Sequence, residues 1–202
     1  MAIGKRKSIG EFMPVIKFDA RVGRFYVQDR VQRGSEWETE QHDVTDGFSA
    51  ILDLANLEVG WIRFPKGAAP ETKLVPAGQD IGDPPSENHK EGLRVLVKLT
   101  DEEIVRELLS SAVGLWIGID ELHDHYIAAA ADHVGQLPVV ELTDVHENKT
   151  SSGTSWTPIF KIMDWVQRPA DMPEKAPPRS QPKKKTKSNS ARDNSMDEEI
   201  PF

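Results

Sequence analysis

The 202-residue chain has no cysteine, which excludes disulfides, zinc–thiolate sites and thiol nucleophiles. It also lacks long apolar runs. No stretch approaches the roughly 18 residues of a membrane span, and Lys5-Arg6-Lys7 is followed by no apolar segment, so no secretory signal is expected. Internal repeats are missing, as are the common catalytic signatures: no HExxH, no Ser-His-Asp spacing, and no glycine-rich loop that would cradle a phosphate. Gly78-Gln-Asp-Ile-Gly82 does not follow a strand or open a helix, the setting that a nucleotide site requires. The expectation is a soluble, cytoplasmic protein that uses no cofactor and is not an enzyme.

The C-terminal 30 residues have a different composition. From Pro173 to Arg192 the only apolar side chains besides proline are Ala176 and Ala191. Pro173, Pro177, Pro178 and Pro182 favour extended backbone, and Lys183-Lys184-Lys185-Thr186-Lys187 keeps the segment solvated. Too little surface can be buried there to offset the entropy of ordering, so 173–192 is expected to be a disordered linker. The lysine run taken alone also fits a nuclear-localisation signal. The chain then ends Asp197-Glu198-Glu199-Ile200-Pro201-Phe202. A terminal Phe can enter a small apolar pocket while its carboxylate meets an Arg or Lys at the rim. Pro201 holds Ile200 extended, and the three carboxylates steer the tip toward basic partners. A solvated acidic terminus that happens to end in Phe is the bland alternative.

Those last residues resemble the acidic C-terminal tip of bacterial single-stranded DNA-binding proteins, which ends in several Asp followed by Ile-Pro-Phe; here Glu198 and Glu199 stand for Asp. The resemblance implies a tip (193–202) that docks on replication, recombination and repair enzymes through residues 197–202. The body has an echo too. Gly60-Trp61-Ile62-Arg63-Phe64-Pro65, Leu74-Val75-Pro76 and Trp165-Val166-Gln167-Arg168-Pro169 look like bacteriophage-encoded single-stranded DNA-binding proteins of the OB-fold type. That implies a sequence-tolerant strand binder in a bacterial host. The body does not resemble the bacterial OB domain itself, so that family's tetramer is not carried over and a homo-oligomer stays open.

Without linker and tip, 1–172 is long enough for one domain with a real core. Ile16, Phe18, Ala20 and Val22 alternate with Lys17, Asp19 and Arg21, the period of a half-buried strand, with a bend at Gly23 and a continuation over 24–31. Residues 47–64 suit two strands around Asn56, 65–92 read as Pro/Gly-rich loops, and 93–99 as another strand. One helix is expected within 111–131, capped by Ser110 or Ser111, with Leu115, Ile119, Leu122 and Tyr126 on its apolar face. For 101–110 both readings stay open: Thr100 with Glu103 forms a capping box, yet 104–109 could be a strand. A final hairpin pairs 138–145 with 157–166. About seven strands and one inserted helix suit a mainly β fold, an OB-like barrel with a disordered C-terminal tail.

Sequence-tolerant strand binding needs aromatic faces for bases and cations for phosphates, a mechanism taken over here from OB-fold strand binders. Three places combine them: Lys17, Arg21, Arg24, Phe25, Tyr26 and Arg30; Trp61, Arg63, Phe64, Lys66 and Lys73; and Trp156, Phe160, Lys161 and Trp165. Phe18, Phe48, Phe160 and Trp61 are expected in the core rather than on bases. Trp37, in Ser-Glu-Trp-Glu-Thr-Glu, reads as an exposed loop residue whose acidic neighbours disfavour phosphate. The charge distribution raises the main objection. Residues 1–33 carry eight bases and three acids (+5), the linker +6 and the tip −4; the chain's −8 therefore leaves −15 on residues 34–172. Such a body repels a polyanion unless its acids face away from the strand. Two rivals follow. An acidic adapter or nucleic-acid mimic would explain the −15. A metal-dependent nuclease could use Asp120, His123 and Asp124, which share a helix face, although His123 and His125 point about 200° apart.

Overall fold

The computed structural model describes residues 13–150 and 153–172. Lys5-Arg6-Lys7, the linker 173–192 and the tip 193–202 lie outside the described residues. The fold is mainly β. Ten strands and one α-helix run in the order β1 (Val15–Asp19), β2 (Arg24–Arg33), β3 (Glu36–Asp43), β4 (Ser49–Leu52), β5 (Glu58–Arg63), β6 (Glu71–Pro76), β7 (Lys90–Leu99), β8 (Val105–Ser110), α1 (Val113–Ala129), β9 (Gln136–Thr150) and β10 (Gly153–Gln167). All ten strands belong to one sheet with spatial order β10-β9-β4-β7-β8-β1-β2-β3, and the β5–β6 ribbon branches from β7. The pairings are antiparallel except β1 beside β8, where Val15 and Ile16 face Glu107 and Leu108 in parallel. The sheet does not close on itself by a strand ladder. Among the described residues one backbone bond links β10 to the turn after β1: the Trp156 N–H donates to the Ala20 carbonyl at 2.8 Å.

The core follows from strand alternation. Ile16, Phe18, Phe25 and Val27 point inward from β1 and β2, and Ala50, Leu52, Val95, Val97, Leu99, Leu108 and Val140 from the strands around them. Phe25 sits at the centre, its ring 4.7 Å from Phe18, 4.7 Å from Phe48 and 6.0 Å from Phe160. Truncating such a ring to Ala costs about 3–5 kcal/mol. The helix adds Leu115, Ile119, Leu122 and Tyr126 to this core, the face read from the sequence. Gly114 and Gly118 let it approach β10 closely: a Cβ on Gly118 would lie 2.3 Å from the Pro158 carbonyl oxygen.

Several expectations change. The first strand stops at Asp19, and Ala20 to Gly23 form a turn in which Val22 is 52% exposed; Gly23 makes the bend with φ of 69°. Residues 36–43 are strand, not loop, because backbone pairing with β2 holds a polar edge that buries almost nothing. Within 65–92, β6 pairs with β5 over six positions. It too lacks an apolar alternation, so periodicity misses it. Residues 105–110 form β8, and the Thr100–Glu103 box is not used: the Thr100 hydroxyl donates to the Ser49 carbonyl and Glu103 pairs with Lys98. Neither serine caps the helix from the N-cap position, which is Ala112; the Ser110 hydroxyl accepts its N–H at 3.1 Å.

Two buried ion pairs join distant segments. Arg106, 1% exposed, places its guanidinium between Asp29 of β2 and Glu102. Burial alone would lower its pKa, but those hydrogen bonds outweigh it and raise the value. Arg168 grips the fully buried Asp53 with two N–H bonds of 2.8 and 3.0 Å and also donates to the Met172 carbonyl. Asn56 completes the Asp53 shell at 2.7 Å. The segment after β10 is thereby fixed to the turn after β4.

Candidate nucleic-acid interface

Three of the sequence-selected residues come together on the outer face of β1 and β2. Lys17 and Tyr26 are directly opposite in the ladder, and alternation turns both away from the core. With Arg21 they line a groove of about 460 Å³ bounded by Asp19, Gln28, Gln41 and Ala112. Among the described residues no carboxylate reaches Lys17 within ion-pairing distance, and Arg21, 90% exposed, has only a 3.6 Å contact to Asp19. An aromatic face beside two solvated cations matches what base and phosphate need together.

Phe25 does not belong to this set. It is 0% exposed because its position shares the inward parity of Phe18 and Val27, so its ring cannot meet a base. Arg24 lies at the far end of the face, where Asp43 (3.2 Å) and Asp46 (3.5 Å) already neutralise it. The Thr45 hydroxyl holds the Asp43 carboxyl below its ordinary pKa, partly offset by burial, with the Thr45 N–H and Arg24 adding to the lowering. Arg30 is exposed on the same outward row as Tyr26, its guanidinium 5.7 Å from the Trp37 ring centre.

A second groove of about 410 Å³ is lined by Arg63, the 53% exposed Phe64, Asn88, Lys90 and Ser111. Ser111 lines this groove and its sequence neighbour Ala112 the first, both just before α1. Arg63 is partnered by Glu71 at 3.3 Å, and Lys73 donates to the Asp83 carbonyl at 3.0 Å; Lys66 is exposed on the loop after β5. Lys90 was not selected from the sequence, since it falls in the stretch that reads as loop. Trp61 is half-buried, its N–H on the Gly82 carbonyl. Trp156 is also half-buried, laid against Gly23 where a Cβ would come within 3.0 Å of its ring. It is a packed residue more than a free platform. Lys161 is exposed on β10, opposite Glu141, and lines neither groove. Phe18, Phe48 and Phe160 are in the core.

No family model, curated protein or solved structure matches this chain.

Many acids of the body are spent internally. Asp29, Glu102, Asp53 and Glu58 pair with buried or half-buried arginines, and Asp171 and Glu103 with Lys98. On α1, Asp120, His123 and Asp124 do share a face, but the His123 ring stacks toward Tyr126, 6.0 Å away, and burial lowers its pKa against the opposing pull of the two aspartates. Among the described residues no group of three or more His, Asp or Glu side chains is arranged to hold a metal ion. Nor, among them, is any helix long and apolar enough to cross a membrane.

Proposed function

We propose that this chain is a sequence-independent single-stranded DNA-binding protein of the bacteriophage type, built on an OB-like barrel. The observation that carries the reading is the groove that joins Lys17, Arg21 and Tyr26. Strand order supports the barrel. Numbered in sequence, β4, β7, β8, β9 and β10 run 5-4-1-2-3 across the sheet, the arrangement of a five-stranded Greek-key barrel, with α1 between the third and fourth. β1 runs parallel to the third, and the turn after it accepts one backbone hydrogen bond from the fifth. OB-folds bind oligonucleotides with the second and third strands and the loops after the first and fourth. In this correspondence Arg63, Lys66 and Lys73 lie on the first of those loops and Trp156 beside the second.

The body coats exposed strands during replication, recombination or repair, protecting them from nucleases. The linker then offers Ile200, Pro201 and Phe202 to polymerases, helicases, exonucleases or recombinases, and the acidic tip folds back on the basic groove when DNA is absent. Titration of the full chain and of residues 1–192 with poly-dT at several salt concentrations tests this. Salt-sensitive binding of single strands, weak response to duplex, and tighter binding by 1–192 at low salt are expected. Silence from both proteins would refute strand binding and favour the adapter reading, which the −15 of residues 34–172 supports.

A further inference from the structure

The β2–β3 arm is a ribbon with two chemically different faces, and Trp37 lies on the one with fewer acids, where Asp43 at the barrel end is the ribbon's one carboxylate among the described residues. The ladder sets Tyr26, Gln28, Arg30 and Gln32 opposite Asp43, Gln41, Thr39 and Trp37, and sets Asp29, Val31 and Arg33 opposite Glu40, Glu38 and Glu36. Directly opposed residues share a face. The glutamates that flank Trp37 in sequence therefore project to the other side. Glu38, and Glu40 on the same side, are held by Arg33, and Asp29 by the buried Arg106. From the Gln28–Gln41 pair to the Gln32–Trp37 pair the first face of the ladder carries no carboxylate.

This face is concave and open. A groove of about 520 Å³, lined by Pro14, Gln28, Asp29, Arg30, Trp37 and Ile104, continues the Lys17–Tyr26 groove, with Gln28 common to both; the Asp29 carboxylate there is held by Arg106. The Trp37 ring is 59% exposed and the Arg30 guanidinium lies 5.7 Å over it. Six strand positions separate Tyr26 from Gln32, the partner of Trp37, so the two rings are about 20 Å apart along the ribbon. A stacked strand rising about 3.4 Å per nucleotide spans that in roughly six nucleotides, and an extended one in fewer.

We infer that the outer face of the β2–β3 ribbon is a second segment of the single-stranded DNA path, with Trp37 as a base-stacking platform, Arg30 as its phosphate contact, and Tyr26 as the ring where the path joins the barrel. The inference rests on the strand-binding reading above and extends it to a residue whose sequence neighbours argue against it. Single-stranded DNA is the occupant because the face offers the rings of Tyr26 and Trp37 and the cations Lys17 and Arg30, its ladder positions from Gln28–Gln41 to Gln32–Trp37 carry no carboxylate, and the groove's Asp29 is already paired with Arg106.

The test uses the full-length protein and fluorescein-labelled dT30, followed by anisotropy from about 50 to 200 mM salt. Trp37→Ala is expected to weaken binding between about five- and a hundredfold with an unchanged salt slope. Trp37→Phe, which keeps a ring, should stay within about threefold of wild type. Arg30→Gln should flatten the slope by about 0.7. Trp37 is on an exposed edge, so thermal unfolding of the alanine variant should match wild type and exclude a folding defect. Wild-type binding with Trp37→Ala unaffected would overturn the ribbon path and leave the strand-binding function standing. No dT30 binding by wild type would overturn both.

Discussion

Lys17 and Arg21 line one groove and lack strong carboxylate partners, whereas Arg24, three residues further on, is held between Asp43 and Asp46. The paired double variant Lys17→Glu/Arg21→Glu should therefore differ from Arg24→Glu in kind. Each phosphate contact on a single strand contributes about 0.7 to the slope of log affinity against log salt. Losing two flattens the slope by about 1.4, so that between 50 and 200 mM salt the double variant loses about sevenfold less affinity than wild type does. Its affinity at the low-salt end falls correspondingly. Arg24→Glu removes a charge that Asp43 and Asp46 already screen, and is expected to flatten the slope by clearly less than one contact's worth. Both substitutions are at exposed or half-exposed side chains, so folding should be intact. Anisotropy titrations of labelled dT30 at four salt concentrations measure the slopes directly. An unchanged slope in the double variant would remove the β1–β2 face from the binding site. An Arg24→Glu effect equal to that of Arg21→Glu alone would show that the Asp43 and Asp46 pairings do not govern which cations reach phosphate.

Arg168→Met leaves Asp53 buried with only Asn56 beside it. It should cost about 3–5 kcal/mol and lower Tm by roughly 6–20 °C in thermal melts; a loss under about 1 kcal/mol would show that Asp53 finds water or another partner. Gly118→Ala would gain helix propensity, yet its Cβ would lie 2.3 Å from the Pro158 carbonyl oxygen. The helix must lift, so urea unfolding should show a net loss of about 1–3 kcal/mol; a more stable protein would contradict the close packing of α1 on β10. The His123 pKa is lowered by burial, so the folded state favours the neutral ring. Its stabilising contribution is complete above the ordinary value of 6.5 and is lost as pH falls through the lowered folded pKa. His123→Gln should accordingly flatten the decline of Tm on acidification from about pH 7 to pH 5, and an unaltered decline would assign that sensitivity elsewhere.

Much of the architecture is legible before any coordinates. Ile16 and Phe18 announce β1 because one face of a strand must be apolar to be buried, and Leu115, Ile119, Leu122 and Tyr126 announce α1 by the same logic at helical period. The turn around Asn56 and the closing hairpin are equally readable. β3 and β6 are not. Neither alternates apolar with polar residues, and each is held by main-chain pairing with a neighbour, an interaction that leaves no periodic trace in side-chain chemistry. For the site, Lys17, Arg21 and Tyr26 could be selected from composition, but Phe25 could not be told from Tyr26 until strand parity assigned one inward and the other outward.

The sequence alone determines what the chain can use: charged and aromatic side chains without thiols, and a stretch over 173–192 rich in Lys and Pro. It also determines the total charge, because that is a sum. Where the charge lies is a property of the fold. Glu36 and Glu38 flank Trp37 in the chain, yet a strand turns consecutive residues to opposite sides, so the register of β2 against β3 decides which face repels a phosphate and which can receive one. Likewise Asp53 and Arg168, 115 residues apart, become partners only through packing, and which acids among the −15 of residues 34–172 are paired internally is decided only once the chain has folded.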